Sequence, residues 1–170
     1  GNPPWRQTGL APQQQDFEAG TSQVSIVDAD GNAVSMTTTV EALFGARLMV
    51  RGFMLNNELT DFSFEPARDG RPVANRVEGG KRPRSSMAPT IVLDDDGKLY
   101  AVTGAPGGAR IILYVAQSLV ALLDWGMSPQ DAAALPHVGT LGGALELEAG
   151  TAAAERAPAR AQETDRKSVV

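Results

Sequence analysis

The sequence predicts an α+β domain in which antiparallel hairpins precede a long helix. Three observations support this class: two alternating runs, each broken by an Asp-Gly turn, and one helical stripe of apolar residues. With 170 residues, 42% of them hydrophobic and 21% charged, the chain is long enough to bury the core of one globular domain. Disorder is therefore not expected for the chain as a whole.

Both hairpins are predicted from apolar and polar residues that alternate on either side of a turn. The four strands are expected at residues 24–28, 33–39, 87–93 and 98–103. Asp30-Gly31 and Asp96-Gly97 supply the turns, because an Asp-Gly pair adopts the positive φ angles that tight hairpins need.

The helix is predicted after the segment "GAPGG", where the period of the apolar residues changes. Its core-facing stripe consists of Ile111, Ile112, Val115, Leu119, Leu122 and Leu123. The helix should end at Trp125-Gly126, and Ser128-Pro129 should cap a short helix that runs to Leu135. A further strand is expected at residues 144–148, "ALELE".

Residues 44–80 show no such pattern and are predicted to be irregular, with Gly, Pro and Asn spread through them. Loops of this length in compact domains are usually functional or disordered. The segment is therefore a candidate for part of a site.

Composition excludes several classes of function. The net charge of -5 argues against a nucleic-acid or anionic-membrane surface, and no apolar run is long enough to span a bilayer. Without cysteine there is no disulfide, thiolate metal site or cysteine nucleophile. A single histidine, His137, makes a histidine metal site or a Ser-His-Asp triad improbable.

Four stretches carry groups of interest: "GTS" at residues 20–22, and three others that each have a simpler interpretation. The segment "PGG" before the helix offers N–H groups to an oxyanion, or it is only a tight turn. Ser85 and Ser86 offer hydroxyls to a carboxylate, although serines beside prolines commonly form turns. Glu58 and Asp61 offer charge to an ammonium group, or they belong to a solvated loop face.

Taken together and in order, these stretches resemble the small subunit of gamma-glutamyltranspeptidases, members of the N-terminal nucleophile hydrolase superfamily. The resemblance runs from about Thr21 to His137. It includes the segments "SIVDADGNAVSMT", "FGARLMVRGFMLNNELTDFS", "KRPRSSMAPTIV" and "TGAPGGARII". It implies the four-layer αββα sandwich of that superfamily, of which this chain would supply only the small-subunit portion.

The resemblance implies that the precursor cuts itself between Gly20 and Thr21, and that Thr21 is the nucleophile. A threonine at a chain start carries a hydroxyl nucleophile and, on the same residue, an amine that accepts its proton. While Gly20 is attached, that nitrogen is an amide without a basic lone pair. By the same resemblance, Thr39 hydrogen-bonds the nucleophile, and Gly107 and Gly108 form the oxyanion hole.

The resemblance also implies a set of substrate-binding residues. Ser85 and Ser86 would hold the α-carboxylate of a glutamyl group. Glu58 and Asp61 would receive its α-amino group, and Glu41 would lie beside that group. Glu41 stands where the family usually has Asn, so it adds negative charge there.

Further departures and absences qualify the resemblance. Ser22 and Gln23 stand where the family usually has Thr and His, and the change at Gln23 is expected to affect autoprocessing or the shape of the site. The large subunit, with the arginine that clamps the substrate carboxylate, is not part of this sequence. We expect residues 1–20 to be a linker at the end of the large-subunit region and residues 21–150 to be a truncated catalytic small-subunit domain. Residues 151–170 are expected to be a low-complexity tail, disordered or artefactual, whose end "DRKSVV" matches a translated sequencing adapter.

The function implied is gamma-glutamyl transfer and hydrolysis, acting on glutathione and gamma-glutamyl amides, with an amino acid, a peptide or water as acceptor. The expected partner is the large subunit of the same precursor, with which it would form a heterodimer. No cofactor or metal is expected, and family members are commonly periplasmic or extracellular. Two alternatives remain open: an acylase of glutaryl-type beta-lactam side chains, and an unprocessed, non-catalytic fragment that serves only in subunit assembly.

Overall fold

The computed structural model describes residues 9–11, 20–156 and 162–164, the last three by their backbone alone. These residues fall into two compact units. The first contains residues 9–11 and Val40–Ser85, and the second contains residues 20–39, 86–156 and 162–164.

The first predicted hairpin is confirmed in the second unit. Strands β1 (Thr21–Val27) and β2 (Ala33–Thr39) are antiparallel, and their register pairs Thr21 with Thr39. The Asp28 carboxylate closes the turn by accepting hydrogen bonds from the backbone N–H groups of Asp30 and Asn32. β1 begins three residues earlier than predicted, because its polar start shows no alternation although the ladder continues there.

The first unit is less irregular than its sequence predicts. Its strands are β3 (Met49–Val50), β4 (Phe53–Met54), β5 (Ala67–Arg68) and β6 (Arg71–Pro72), which form two antiparallel pairs. Two-residue strands are too short to show a period, so alternation missed them. The turn of the second pair is Asp69-Gly70, with both φ angles positive. This is the same Asp-Gly signal that predicts the other two hairpins, so the sequence did indicate a turn here.

The core of this unit lies around Val73, whose side chain is fully buried. Ala11 forms a parallel bridge with Val73, and its N–H donates to the carbonyl of Pro72. Phe62, directly after a 3-10 turn at Glu58–Asp61, is also buried. This turn carries two of the predicted site residues.

The second predicted hairpin is confirmed as β7 (Thr90–Leu93) and β8 (Leu99–Thr103), with an irregularity between Val92 and Leu93. β7 starts after Pro89 rather than at residue 87, which fits the inability of proline to donate to a ladder. The two hairpins of the second unit touch, and the Ser35 hydroxyl donates to the carbonyl of Thr103 at 2.8 Å.

Both predicted helices are confirmed as α1 (Ile111–Leu123) and α2 (Pro129–Ala134), and the Ser128 hydroxyl caps α2 by accepting from the N–H of Asp131. Ala121, Leu122 and Ala132 form the buried contact between them. The predicted stripe of α1 is wrong at Ile112 and Leu123, which are about half exposed. Tyr114 is buried on that helix instead, because the buried face runs through Ile111, Tyr114, Val115, Ala121 and Leu122.

Three short strands follow. The predicted strand at 144–148 is present as β10 (Glu146–Glu148), which pairs antiparallel with β9 (Val138–Gly139) and parallel with β11 (Gln162–Thr164). A helical turn, α3 (Ala152–Glu155), precedes β11, so both of these lie in the segment expected to be a tail.

The predicted domain boundaries stay predictions. Most of the expected linker, residues 1–8 and 12–19, lies outside the described residues, as do residues 157–161 and the terminal "DRKSVV" of the expected tail. Across the part of the chain that the structure describes, no helix has the length and apolar character to cross a membrane.

Candidate active site

The predicted nucleophile is hydrogen-bonded to the residue predicted to orient it. Thr21 and Thr39 are direct cross-strand partners, and the Thr21 hydroxyl donates to the Thr39 hydroxyl at 3.0 Å. Paired residues of an antiparallel ladder project on the same face, so the hairpin register itself produces this contact.

Thr39 also contacts the peptide bond expected to be cut. Its hydroxyl donates to the carbonyl oxygen of Gly20 at 3.3 Å. The Thr39 hydroxyl therefore accepts a hydrogen bond from the predicted nucleophile and donates one to the carbonyl beside it. The oxygen of Thr21 and the carbonyl it would attack share this single partner.

The same face of the hairpin continues as a row of polar side chains. Gln23 pairs with Thr37 and Ser25 pairs with Ser35 in the β1–β2 register. The Gln23 amide accepts from the Thr37 hydroxyl at 2.6 Å and donates to the Ser35 hydroxyl at 3.0 Å. Polar groups thus extend from the Thr21–Thr39 pair as far as the Ser25–Ser35 pair.

The predicted oxyanion residues lie where the chain passes from β8 to α1. Gly107 has a φ of 137° and Gly108 has a φ of 54°, both in the range that favours glycine. Gly108 is buried and begins a 3-10 turn that ends at Arg110, whose N–H donates to the carbonyl of Gly107 at 3.0 Å. The backbone here needs glycine, as an oxyanion loop would.

Arg110 anchors that turn to β10. Its guanidinium forms a two-bond ion pair with the Glu146 carboxylate, through Nε to Oε2 and through Nη2 to Oε1 at 3.0 Å. The hydrogen bond to Glu146 is the main reason why the pKa of Arg110 is raised, so its charge is fixed. The glycine turn is therefore held by an ion pair at its carboxyl end.

The predicted acidic residues come together in the first unit. The Glu41 carboxylate accepts a hydrogen bond from the Asn57 side-chain amide, and it also accepts one from the Thr60 hydroxyl at 3.3 Å. Asn57 in turn accepts from the N–H of Ala42 at 3.0 Å. These contacts join the segment after β2 to the 3-10 turn that carries Glu58 and Asp61.

Asp61 is the buried member of this group, with 8% of its surface exposed. Burial raises the pKa of its carboxyl above the usual value, and the negative charge of Glu41 raises it further. The positive charge of Arg84 and a hydrogen bond with Glu58 act in the opposite direction. A cation placed beside Asp61 would favour its charged form and so lower this pKa.

Glu41 has an unusual backbone for its residue type. Its φ of 71° lies in the left-handed region, which costs a residue with a β-carbon about 1 kcal/mol or more and which asparagine tolerates better than glutamate. Glutamate at this position thus carries backbone strain as well as charge.

The two serines expected to hold a carboxylate have no regular secondary structure. Ser85 is exposed and is the last residue of the first unit, whereas Ser86 is half-buried and is the first residue of the next segment of the second unit. Of the predicted site, Gly20, Thr21 and Thr39 are in direct contact, and Glu41, Glu58 and Asp61 form a second group in the first unit.

The sequence did not predict a site role for Asn57 and Thr60, which hydrogen-bond Glu41, or for Arg110, which anchors the glycine turn. Asn57 and Thr60 lie within the segment "NNELTD", where only the acidic residues were predicted to bind a ligand. A sequence signal existed for the polar hairpin face, since residues 21, 23 and 25 and residues 35, 37 and 39 are all polar at a spacing of two. No comparable signal pairs Arg110 with Glu146, because 36 residues separate them.

His137 does not belong to either group of predicted site residues. Its ring stacks on Tyr114 with 3.9 Å between centroids, and its backbone N–H donates to the Glu148 carboxylate at 3.0 Å. Among the described residues, no three His, Asp or Glu side chains are grouped so as to hold a metal ion.

Comparison with known proteins gives the class first. A gamma-glutamyltranspeptidase from Pseudomonas nitroreducens, solved in complex with L-DON, superposes with a TM-score of 0.70 at 35% identity, over 85% of this chain and 82% of that one. An acivicin-inhibited gamma-glutamyltranspeptidase superposes with a TM-score of 0.69 at 34% identity, over 84% of this chain and 83% of the other. The predicted class is thereby confirmed: the chain has part of an N-terminal nucleophile hydrolase fold of mixed strands and helices.

Sequence comparison then gives the family. The family model described as gamma-glutamyltranspeptidase matches residues 2–165, so the chain belongs to the gamma-glutamyltranspeptidase family. The glutathione hydrolase proenzyme of Escherichia coli is 42% identical over 75% of this chain, and that of Bacillus subtilis is 42% identical over 81%. The chain spans about a quarter of the length of these relatives, 23% and 24%.

Proposed function

We propose that the protein to which this chain belongs hydrolyses and transfers gamma-glutamyl groups of glutathione and related amides, with Thr21 as the nucleophile. The observation that carries the proposal is the Thr39 hydroxyl, which hydrogen-bonds both the Thr21 hydroxyl and the Gly20 carbonyl. Such a bridge suits a precursor whose own peptide bond is the first substrate of its nucleophile.

The first step would be cleavage of the Gly20–Thr21 bond. The Thr21 oxygen attacks the Gly20 carbonyl carbon, the C–N bond breaks, and the departing nitrogen takes up the hydroxyl proton. Water then hydrolyses the resulting ester, which leaves a carboxylate on Gly20 and a free amine on Thr21. Thr39 supports this step because its hydroxyl donates to the carbonyl oxygen on which negative charge develops.

Turnover would follow the same chemistry with an external amide. The freed Thr21 amine accepts the proton of its own hydroxyl, and the oxygen attacks the gamma-carbonyl carbon of the donor. The N–H groups of Gly107 and Gly108 stabilise the oxyanion of the tetrahedral intermediate. The amine leaving group takes the proton and departs, and the acyl-enzyme passes its glutamyl group to water or to an acceptor amine.

Recognition of the glutamyl end rests on charge. Asp61 and Glu58 would bind the α-ammonium group, and Glu41 would add negative charge near them. Ser85 and Ser86 would bind the α-carboxylate through their hydroxyls. A glutaryl group lacks the ammonium, so these carboxylates favour gamma-glutamyl over glutaryl donors.

The active form would be a heterodimer of the cleaved precursor, with a large subunit encoded upstream of Thr21. The relatives named proenzymes support a precursor of this kind. That subunit would complete the site, including the remaining contacts to the substrate carboxylate.

The proposal is tested with the protein expressed from its complete gene, using gamma-glutamyl and glutaryl p-nitroanilides as donors. We expect cleavage and gamma-glutamyl release in the wild type, both lost in T21A and partly retained in T21S, which keeps a hydroxyl. T38A is the matched control, since Thr38 is an exposed neighbour on the opposite face of β2. Faster glutaryl release would favour the acylase function, and an uncut, inactive wild type would favour a role in assembly alone.

A further inference from the structure

We propose that Gln23 is a positioning residue that fixes the glycine loop, Gly104 to Gly108, against the hairpin that carries the nucleophile. This inference rests on the proposed function, because that function makes Thr21 the nucleophile and gives the glycine loop its role in binding the oxyanion. It concerns contacts within the second unit alone.

A directed chain of hydrogen bonds runs from β2 through Gln23 to the end of β8. Thr37 donates to the Gln23 carbonyl oxygen at 2.6 Å, and the Gln23 amide nitrogen donates to the Ser35 hydroxyl at 3.0 Å. Ser35 donates in turn to the carbonyl of Thr103 at 2.8 Å. Gln23 and Ser35 each accept one of these hydrogen bonds and donate the next. The last acceptor, Thr103, directly precedes the glycine loop.

The Gln23 side chain also lies against the first residue of that loop. A β-carbon placed on Gly104 would come within 2.3 Å of the Gln23 amide carbon and within 2.4 Å of its oxygen and nitrogen. Glycine at 104 thus lets the amide lie directly on the loop backbone, a contact that a side chain at 104 would prevent. Hydrogen bonding and close packing therefore act on the same point of the loop.

The position of Gln23 makes this contact relevant to the chemistry. Gln23 is two residues after Thr21 on the same face of β1, and Gly104 is three residues before Gly107. A shift at Gly104 would move the loop N–H groups relative to the strand that carries the nucleophile. Because a displacement of about 1 Å can lower a rate by about 100-fold, such bracing has a large effect on catalysis.

The first experiment uses Q23L and T37V in the full-length protein. Leucine retains most of the volume of glutamine but makes none of its hydrogen bonds, and T37V removes only the hydroxyl that donates to Gln23. We expect kcat for a gamma-glutamyl anilide to fall about 10- to 100-fold in Q23L and less in T37V, with KM within about threefold of wild type. T38V, which makes the same chemical change on the exposed face, should leave kcat unchanged.

The second experiment tests the contact with Gly104 by a double-mutant cycle. G104A should lower kcat because its methyl group displaces Gln23, whereas in Q23A the same methyl group meets no amide. We therefore expect Q23A/G104A to be no slower than Q23A alone, which is a non-additive result.

The outcomes separate this inference from the proposed function. If T21A abolishes activity while Q23L and T37V keep the wild-type kcat, the inference is overturned and the function stands. Additive effects in the double-mutant cycle would also overturn it. A general loss of folding in Q23L would lower its thermal midpoint and the amount of processed protein. In that case the inference is tested by comparing kcat of T37V with kcat of T38V.

Discussion

The two units of this chain place their candidate site residues by different means. In the second unit a regular hairpin brings Thr21 and Thr39 together through strand register, and a strand-to-helix junction presents Gly107 and Gly108. In the first unit Glu41 lies near Asp61. Glu41 has a left-handed backbone, and Asp61 is the last residue of a 3-10 turn. The residues proposed for nucleophilic chemistry are thus placed by regular geometry, whereas those proposed for charge recognition are placed by irregular backbone.

This difference has a physical basis. A hydroxyl nucleophile needs one partner at hydrogen-bond distance, which an antiparallel ladder supplies at each pair. Bringing carboxylates together and burying one of them instead costs free energy, because burial and neighbouring negative charge both disfavour the charged form. The first unit therefore carries strain and a raised pKa, and the second carries a network of neutral hydrogen bonds.

The largest effect is expected at the glycine junction of the second unit. G108A should lower kcat about 100-fold, because a methyl group at a φ of 54° displaces the N–H groups proposed to bind the oxyanion. G97A is the matched control: Gly97 also has a positive φ, 78°, but lies in the β7–β8 turn with open space around it. Steady-state kinetics should show full activity in G97A, and equal losses in both variants would mean that strain alone is responsible.

A smaller effect is expected from the raised pKa of Asp61 in the first unit. Below that pKa the carboxyl is neutral, so KM for a gamma-glutamyl donor should rise as the pH falls, beginning at a higher pH than for an ordinary aspartate. D61N should have a higher KM at neutral pH and should lose this dependence, as measured by initial rates across the acidic range.

The raised pKa of Asp61 also affects stability: a lower pH weakens the expected binding of the donor, but it stabilises the fold. A carboxyl whose native pKa is raised stabilises the fold below its unfolded pKa, and this contribution disappears as the pH rises through the native pKa. The thermal midpoint of the wild type should therefore fall relative to D61N between the usual and the raised pKa. Parallel curves for the two proteins across that window would contradict the assignment.

The smallest effect is expected from the backbone of Glu41. E41A and E41G both remove the carboxylate, but only glycine adopts a φ of 71° without cost. E41G should therefore be more stable than E41A by about 1 kcal/mol, which thermal unfolding measures. Equal midpoints would show that the first unit does not carry the strain attributed to it.

The sequence predicted the regular second unit better than the irregular first unit. Asp30-Gly31 and Asp96-Gly97 with their alternating flanks sufficed for both long hairpins, and Ser128-Pro129 sufficed for the start of α2. These features depend on local periods and local turn chemistry, which a sequence displays directly. The contact of Thr21 with Thr39 was instead implied by the family resemblance, because Thr21 precedes the predicted start of the first strand.

The remaining features depend on contacts between distant segments. Glu41 meets Asn57 and Thr60, and Arg110 meets Glu146, across separations that no local pattern encodes. The left-handed backbone of Glu41 is equally invisible, because glutamate is not a residue that signals it. The family resemblance indicated which acidic residues belong to the site. The residues that hydrogen-bond them are evident only in the folded structure.

The central claim is that Thr21 acts only after its peptide bond to Gly20 is broken. The most direct measurement follows newly synthesised full-length protein over time, with intact-mass analysis of the fraction that begins at Thr21 and a gamma-glutamyl anilide assay on the same samples. We expect activity to rise in proportion to that fraction and to be absent from the uncut precursor. Full activity in protein whose Gly20–Thr21 bond is still intact would show that Thr21 does not need a free amine.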